Sequence, residues 1–207
     1  MAPKPSPSPR VEPRPVRLDR IGLLCAGAVC APGSAAWLES AMLSHMLVQI
    51  PVLVTAGFLV GTHWRRASNR VRALGRAFRW PLVATAGGTL MLWMIPRLLD
   101  EAVASPVVDA VKLASLFAAA GVPLGLGWPE LGPVARGVIH VEALSTCWRL
   151  GWLYLDTPQR LCSQYLLDDQ YRVGTALLLL GVPYAANLAA LALFGPRLRG
   201  PRAATEH

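Results

Sequence analysis

Long apolar runs separated by short polar segments dominate the chain, and their lengths predict helices that cross a bilayer. A crossing helix needs about 20 predominantly apolar residues. Six runs come near that length: 21–37, 40–62, 80–95, 107–128, 133–155 and 173–194. The expected fold is therefore all-α, a bundle of about six transmembrane helices. The first run is short and Pro32 interrupts it, so a secretory signal competes with a retained span there; small residues follow at 33–36. The long proline-rich leader ahead of it argues for retention. Pro51 lies near the middle of the second run, where a kink is expected.

The flanks read differently. Residues 1–20 are rich in Pro and Arg with few large apolar side chains, and cannot bury a core; a disordered basic tail is expected. Residues 21–195 form one transmembrane domain, and 196–207 a second short tail.

Composition agrees with this division. Of 207 residues, 54% are hydrophobic and only 15% charged, against about a quarter charged in soluble domains. Mean hydropathy is +0.42. The net charge of +8 is no nucleic-acid footprint, because its arginines sit in short clusters between apolar runs. The strongest cluster, Arg65, Arg66, Arg70, Arg72, Arg76 and Arg79, belongs at a cytoplasmic membrane surface. With both ends cytoplasmic, 15 of the 20 Lys and Arg residues fall inside. The expected location is a bacterial-type inner membrane, with membrane lipid as a partner and no nucleic acid.

Candidate chemistry lies in the second span. Met42, His45, Met46 and Gln49 stand at i, i+3, i+4 and i+7, so they share one helical face. An imidazole has no partner in lipid, so this face should look into the bundle. Thioethers flanking an imidazole suit Cu(I). The same pattern also fits methionines that pack and a histidine that hydrogen-bonds a neighbouring helix. The assumed orientation puts Met91 and Met94 of the third span at the same outer depth. Asp109, opening the fourth span, and Asp169, preceding the sixth, are candidates at that level. Asp109 and Lys112 are i and i+3 and can pair, while Lys112 can also snorkel outward.

Glu142 and His140 in the fifth span lie two apart, on nearly opposite faces. Glu142 is expected to be protonated and bonded to a neighbouring helix, with Arg149 too far along the axis to reach it. The glycines of the AGG (86–88) and LGLGW (124–128) stretches are expected to allow close helix packing. Cys25, Cys30, Cys147 and Cys162 form no CxxC pair, and no disulfide follows from their spacing. No GxSxG, HExxH or phosphate-cradling glycine loop occurs, so no enzyme activity is expected.

Four stretches resemble the CtaG-type family of cytochrome c oxidase assembly factors. The run AMLSHMLVQIPVLVTAG is similar to that family's HMxxHM helix, with Met42, His45 and Met46 matching and Ala41 at the first histidine position. LWMIPRLLDEA is similar to a W-H-x-P helix end, with Met94 in place of the histidine. VVDAVKLASLFAAAGVPLGLGWPELG is similar to a later helix, with Asp109 and Lys112 where histidines normally stand. LLDDQYRVG is similar to a DQxxxG helix start, through Asp169, Gln170 and Gly174. The resemblance implies a membrane assembly factor for copper delivery, acting with a complex such as a terminal oxidase. Copper would be its cofactor, and His45, Met42, Met46, Met91, Met94, Asp109 and Asp169 its metal residues. The alternative is a non-catalytic accessory subunit of a multi-subunit respiratory or copper enzyme.

Overall fold

The structure, a computed structural model, describes residues 18–161 and 165–198. Most of the amino-terminal tail, the end of the carboxyl-terminal tail and Cys162 lie outside the described residues. Every regular element among the described residues is helical. We number them α1 (Leu18–Cys30), α2 (Pro32–Glu39), α3 (Met42–Ala67), α4 (Asn69–Ala77), α5 (Arg79–Trp93), α6 (Pro96–Ala104), α7 (Pro106–Glu130), α8 (Pro133–Asp156) and α9 (Leu167–Leu198). Prolines open α2, α6, α7 and α8, where a missing N–H costs nothing and the fixed φ suits a helix start.

Three helices are long and apolar enough to cross a membrane: α3 with 26 residues, α7 with 25, and α9 over Leu167–Phe194. A fourth span results only if α5 and α6 are taken together, and these meet at a bend of 74°. The helical class matches the sequence reading, whereas length and composition support three or four spans, not six. The shortfall has local causes. Pro96 forces Ile95 out of the helical region and divides α5 from α6. The break at Ala31 leaves α1 short, at 13 residues. The 24-residue α8 is long enough, but carries Arg136, Glu142 and Arg149 in its interior.

Prolines inside α3 and α7 are accommodated by wide turns. A proline offers no N–H and its ring crowds the carbonyl four residues back. Just before Pro51, residues His45–Gln49 adopt a π-turn, and the Ile50 N–H donates to the His45 carbonyl. Just before Pro123, Leu116–Gly121 does the same, and the Val122 N–H donates to the Phe117 carbonyl. Such turns occur preferentially at functional sites. Here they rotate the residues before each proline relative to the remainder of the helix.

The two helices cross at glycines. A Cβ on Gly121 would lie 2.6 Å from the Val54 carbonyl oxygen, and one on Gly57 would strike the Phe117 carbonyl. Gly61 and Gly125 meet backbone of the opposite helix in the same way, so each helix contributes a small-xxx-small pair. The expectation for LGLGW holds at Gly125. It fails for the AGG stretch, because Gly87 and Gly88 face open space. Gly151 and Gly174 bring α8 against α9.

Two buried clusters meet at the Met42 end of α3. One joins Met42, Met46, Leu99, Tyr154, Tyr165 and Val173; the other joins Ile50, Leu53, Trp93, Ala102 and Leu116. Met94 packs against both. This junction holds Met42, Met46 and Met94, three of the side chains singled out by their chemistry.

Candidate metal and polar site

The π-turn of α3 turns all four residues of the predicted face inward. Met42, His45, Met46 and Gln49 are buried, with His45 only 1% exposed. Both imidazole nitrogens of His45 lack a hydrogen-bond partner. A buried, unpaired imidazole carries a desolvation cost of about 1–3 kcal/mol that a bound ligand would relieve. The Met46 thioether is approached by the Tyr154 hydroxyl at 3.8 Å, and the Tyr165 ring sits tilted beside the His45 ring at 6.4 Å.

A charged network lies alongside. Glu39 Oε1 accepts from Lys112 Nζ at 3.1 Å and from Gln49 Nε2 at 3.0 Å. His45 Nδ1 is 4.0 Å from the same oxygen. Lys112 also pairs with Asp109 at 2.6 Å, as their spacing predicts. Lys112 does not snorkel: its side chain is wholly buried, because Glu39 and Asp109 together hold the ammonium inside. The Tyr165 hydroxyl donates to the Glu39 carbonyl at 3.1 Å, which fixes the end of α2 over the site. With His45 neutral, two carboxylates and one ammonium leave a formal charge of −1 in this buried corner.

The sequence-derived set is thus only partly gathered. Met42, His45 and Met46 share one wall, Met94 packs against the cluster holding the two methionines, and Asp109 joins through Lys112. Met91 points outward at 62% exposure. Asp169 faces Arg172 at 3.6 Å, one turn on in its own helix. Its neighbour Gln170 is buried, accepting from the Leu161 N–H at 3.0 Å and donating to the Tyr154 carbonyl at 3.2 Å. That makes Gln170 a staple for the loop after α8. Glu39, Tyr154 and Tyr165 were not legible as site residues. Only the sequence position of Glu39, one turn before the Met/His face, hints at a role.

Among the described residues no group of three or more His, Cys, Asp or Glu side chains could hold a metal ion. A metal at this junction would therefore rest on one imidazole and the thioethers of Met42, Met46 and Met94. That donor set fits a soft monovalent ion and offers little to Zn2+ or Mg2+.

Elsewhere, His140 and Glu142 diverge. His140 Nδ1 is 2.6 Å from the Tyr184 hydroxyl on α9, with the Trp128 ring edge-on to it. Glu142 pairs with Arg149, which overturns the expectation that Arg149 is out of reach and that Glu142 is a proton donor to another helix. Two turns separate the Cα atoms, but the long guanidinium arm lies back along the helix and closes the gap. Thr146, between them, also approaches the Glu142 carboxylate, at 3.4 Å.

No family model, curated protein or solved structure matches this chain, so its functional reading rests on the donors gathered around His45.

Proposed function

We propose that this is a multi-pass membrane protein that holds Cu(I) in the outer half of the bilayer and passes it to a partner. The partner class implied by the family resemblance is a terminal oxidase under assembly. The observation that carries the reading is His45, a buried imidazole with neither nitrogen hydrogen-bonded, between the buried thioethers of Met42 and Met46. Met94 packs against the cluster that holds both methionines and is the candidate for a third sulfur ligand. The carboxylates of Glu39 and Asp109 make the corner attractive to a cation without offering a hard ligand cage. Counting α1 with α2, and α8, as further crossings gives six spans with both termini cytoplasmic in a bacterial-type inner membrane. This arrangement keeps the arginines of 65–79 inside and the His45 site near the outer face.

Competition of purified protein with a colorimetric Cu(I) chelator tests the reading. Wild type should take up one Cu(I) per chain, with nitrogen and sulfur scatterers in X-ray absorption, and His45→Ala should lose it. Absence of uptake, or equal uptake by His45→Ala, would rule the reading out.

A second reading, an accessory subunit of a larger membrane enzyme, is favoured by one feature of α8. The Glu142–Arg149 pair lies on an outward face, at 55% and 67% side-chain exposure, beside the exposed Trp148 and Trp152. Ionised side chains at membrane depth usually face protein or water. Gentle extraction followed by native mass spectrometry separates the readings: a stoichiometric complex without copper on this chain supports the second.

A further inference from the structure

Roughly 30 Å along α3 from His45, at 1.5 Å per residue, the chain builds a second and different surface. No Asp or Glu occurs anywhere between Ser40 and Leu99, whereas seven arginines do. Six of these fall between Arg65 and Arg79, around the short helix α4. The local carboxylate is Glu130 at the end of α7, and it is already shared. Arg65 Nη1 lies 2.6 Å from Glu130 Oε1, and Arg76 Nε lies 3.5 Å from Glu130 Oε2. Among the described residues, Arg66, Arg70, Arg72 and Arg79 have no ion-pair partner.

α4 is nevertheless firmly placed. The Ser68 hydroxyl caps it by accepting from the Val71 N–H at 3.5 Å. Gly75 lets it press on α7, where a Cβ would come within 2.7 Å of the Leu126 carbonyl oxygen. The two Glu130 ion pairs tie α3, α4 and α7 into one corner. Around this corner Trp64, Leu74, Phe78 and Trp80 are all about half exposed or more. Aromatic rings beside arginines, with a single carboxylate shared by two of the six, match the chemistry of the lipid headgroup layer.

We propose that α4 and its flanks form a preorganised docking surface for anionic phospholipid headgroups, with Arg70 and Arg72 reaching phosphates from the two sides of α4 and Arg79 from the start of α5. The aromatic side chains sit at the acyl–headgroup boundary, and the Glu130 ion pairs hold the helix in the membrane plane. This surface is independent of any metal bound at His45.

Native mass spectrometry of the full chain in detergent, titrated with phosphatidylglycerol or phosphatidylcholine, tests the proposal. In a micelle both ends of the protein meet the same solvent, so a change in membrane orientation cannot imitate the effect. Wild type should prefer phosphatidylglycerol. A basic side chain near an anionic surface contributes roughly fivefold, so R70Q/R72Q/R79Q should weaken that lipid about a hundredfold and leave phosphatidylcholine unchanged. R70K/R72K/R79K should keep most of the preference, and added salt should erase it in wild type. If the glutamine variant does not fold, the lysine variant and the salt series still decide. Equal binding of the two lipids, a preference that ignores salt, or full retention by a folded glutamine variant overturns the proposal. Displacement of the lipid by equimolar inorganic phosphate would point to a soluble anion and overturn it as well.

Discussion

Lys112 Nζ lies 3.1 Å from Glu39 Oε1, and this contact joins the first turns of α7 to the end of α2. The ammonium is wholly buried and also pairs with Asp109, so one cation bridges two carboxylates. Removing one partner of a buried ion pair leaves charge uncompensated at a cost of about 3–5 kcal/mol. Lys112→Met should therefore destabilise the protein by that order, read as a large drop in thermal midpoint in detergent. Adding Glu39→Gln should recover part of the loss, since it removes one of the stranded charges. A single variant as stable as wild type would show that the network is not formed.

The methionines divide into two groups that Cu(I) titration can tell apart. Met42, Met46 and Met94 belong to or pack against the buried cluster, and Met91 does not. Leucine nearly conserves methionine volume, so these swaps should cost less than about 1.5 kcal/mol of stability. Each of Met42→Leu, Met46→Leu and Met94→Leu should weaken Cu(I) binding, whereas Met91→Leu should leave it unchanged. Equal effects at all four positions would mean that burial does not select the ligands.

Glycines give a contrast in packing. Gly121→Ala places a methyl 2.6 Å from the Val54 carbonyl and 2.7 Å from Gly57 Cα, against backbone that cannot yield. Overpacking of this kind costs about 1–3 kcal/mol. Gly87→Ala meets nothing within 4 Å in the interior of α5 and should stabilise by about 0.4–1 kcal/mol through the unfolded chain. Thermal unfolding of the two variants side by side should move in opposite directions.

Glu142 and Arg149 form a unit, so their substitutions should not add. Glu142→Gln leaves the guanidinium without its carboxylate, and Arg149→Gln leaves the carboxylate without its cation. Each single variant should lower stability or assembly, and the double variant should lie closer to wild type than their sum. Simple additivity in this cycle would show that the pair is not coupled.

Local spacing made much of this protein readable from its residues alone. Apolar run length announces helices in a membrane, although prolines and interior charges reduce the strict count to three or four spans. Helical periodicity places Met42, His45, Met46 and Gln49 on one inward face, and i, i+3 spacing pairs Asp109 with Lys112. These relationships hold within one helix, where 3.6 residues per turn leave little freedom.

The rest depends on how the helices are rotated and which ones meet. Glu39 reaches Lys112 across 73 residues, and no periodicity links them. Met94 packs against both buried clusters while Met91 faces out, because Met94 closes the last turn of α5 just before Ile95 leaves the helical region and the chain bends into α6. Gly121 needs to be glycine because α3 crosses there, whereas Gly87 and Gly88, in an equally apolar run, meet no neighbour. Arg149 reaches Glu142 because a long side chain can fold back over two turns. Sequence spacing determined which side chains share a face. Tertiary packing alone decided what each face meets, since contact energies are set by neighbours distant along the chain.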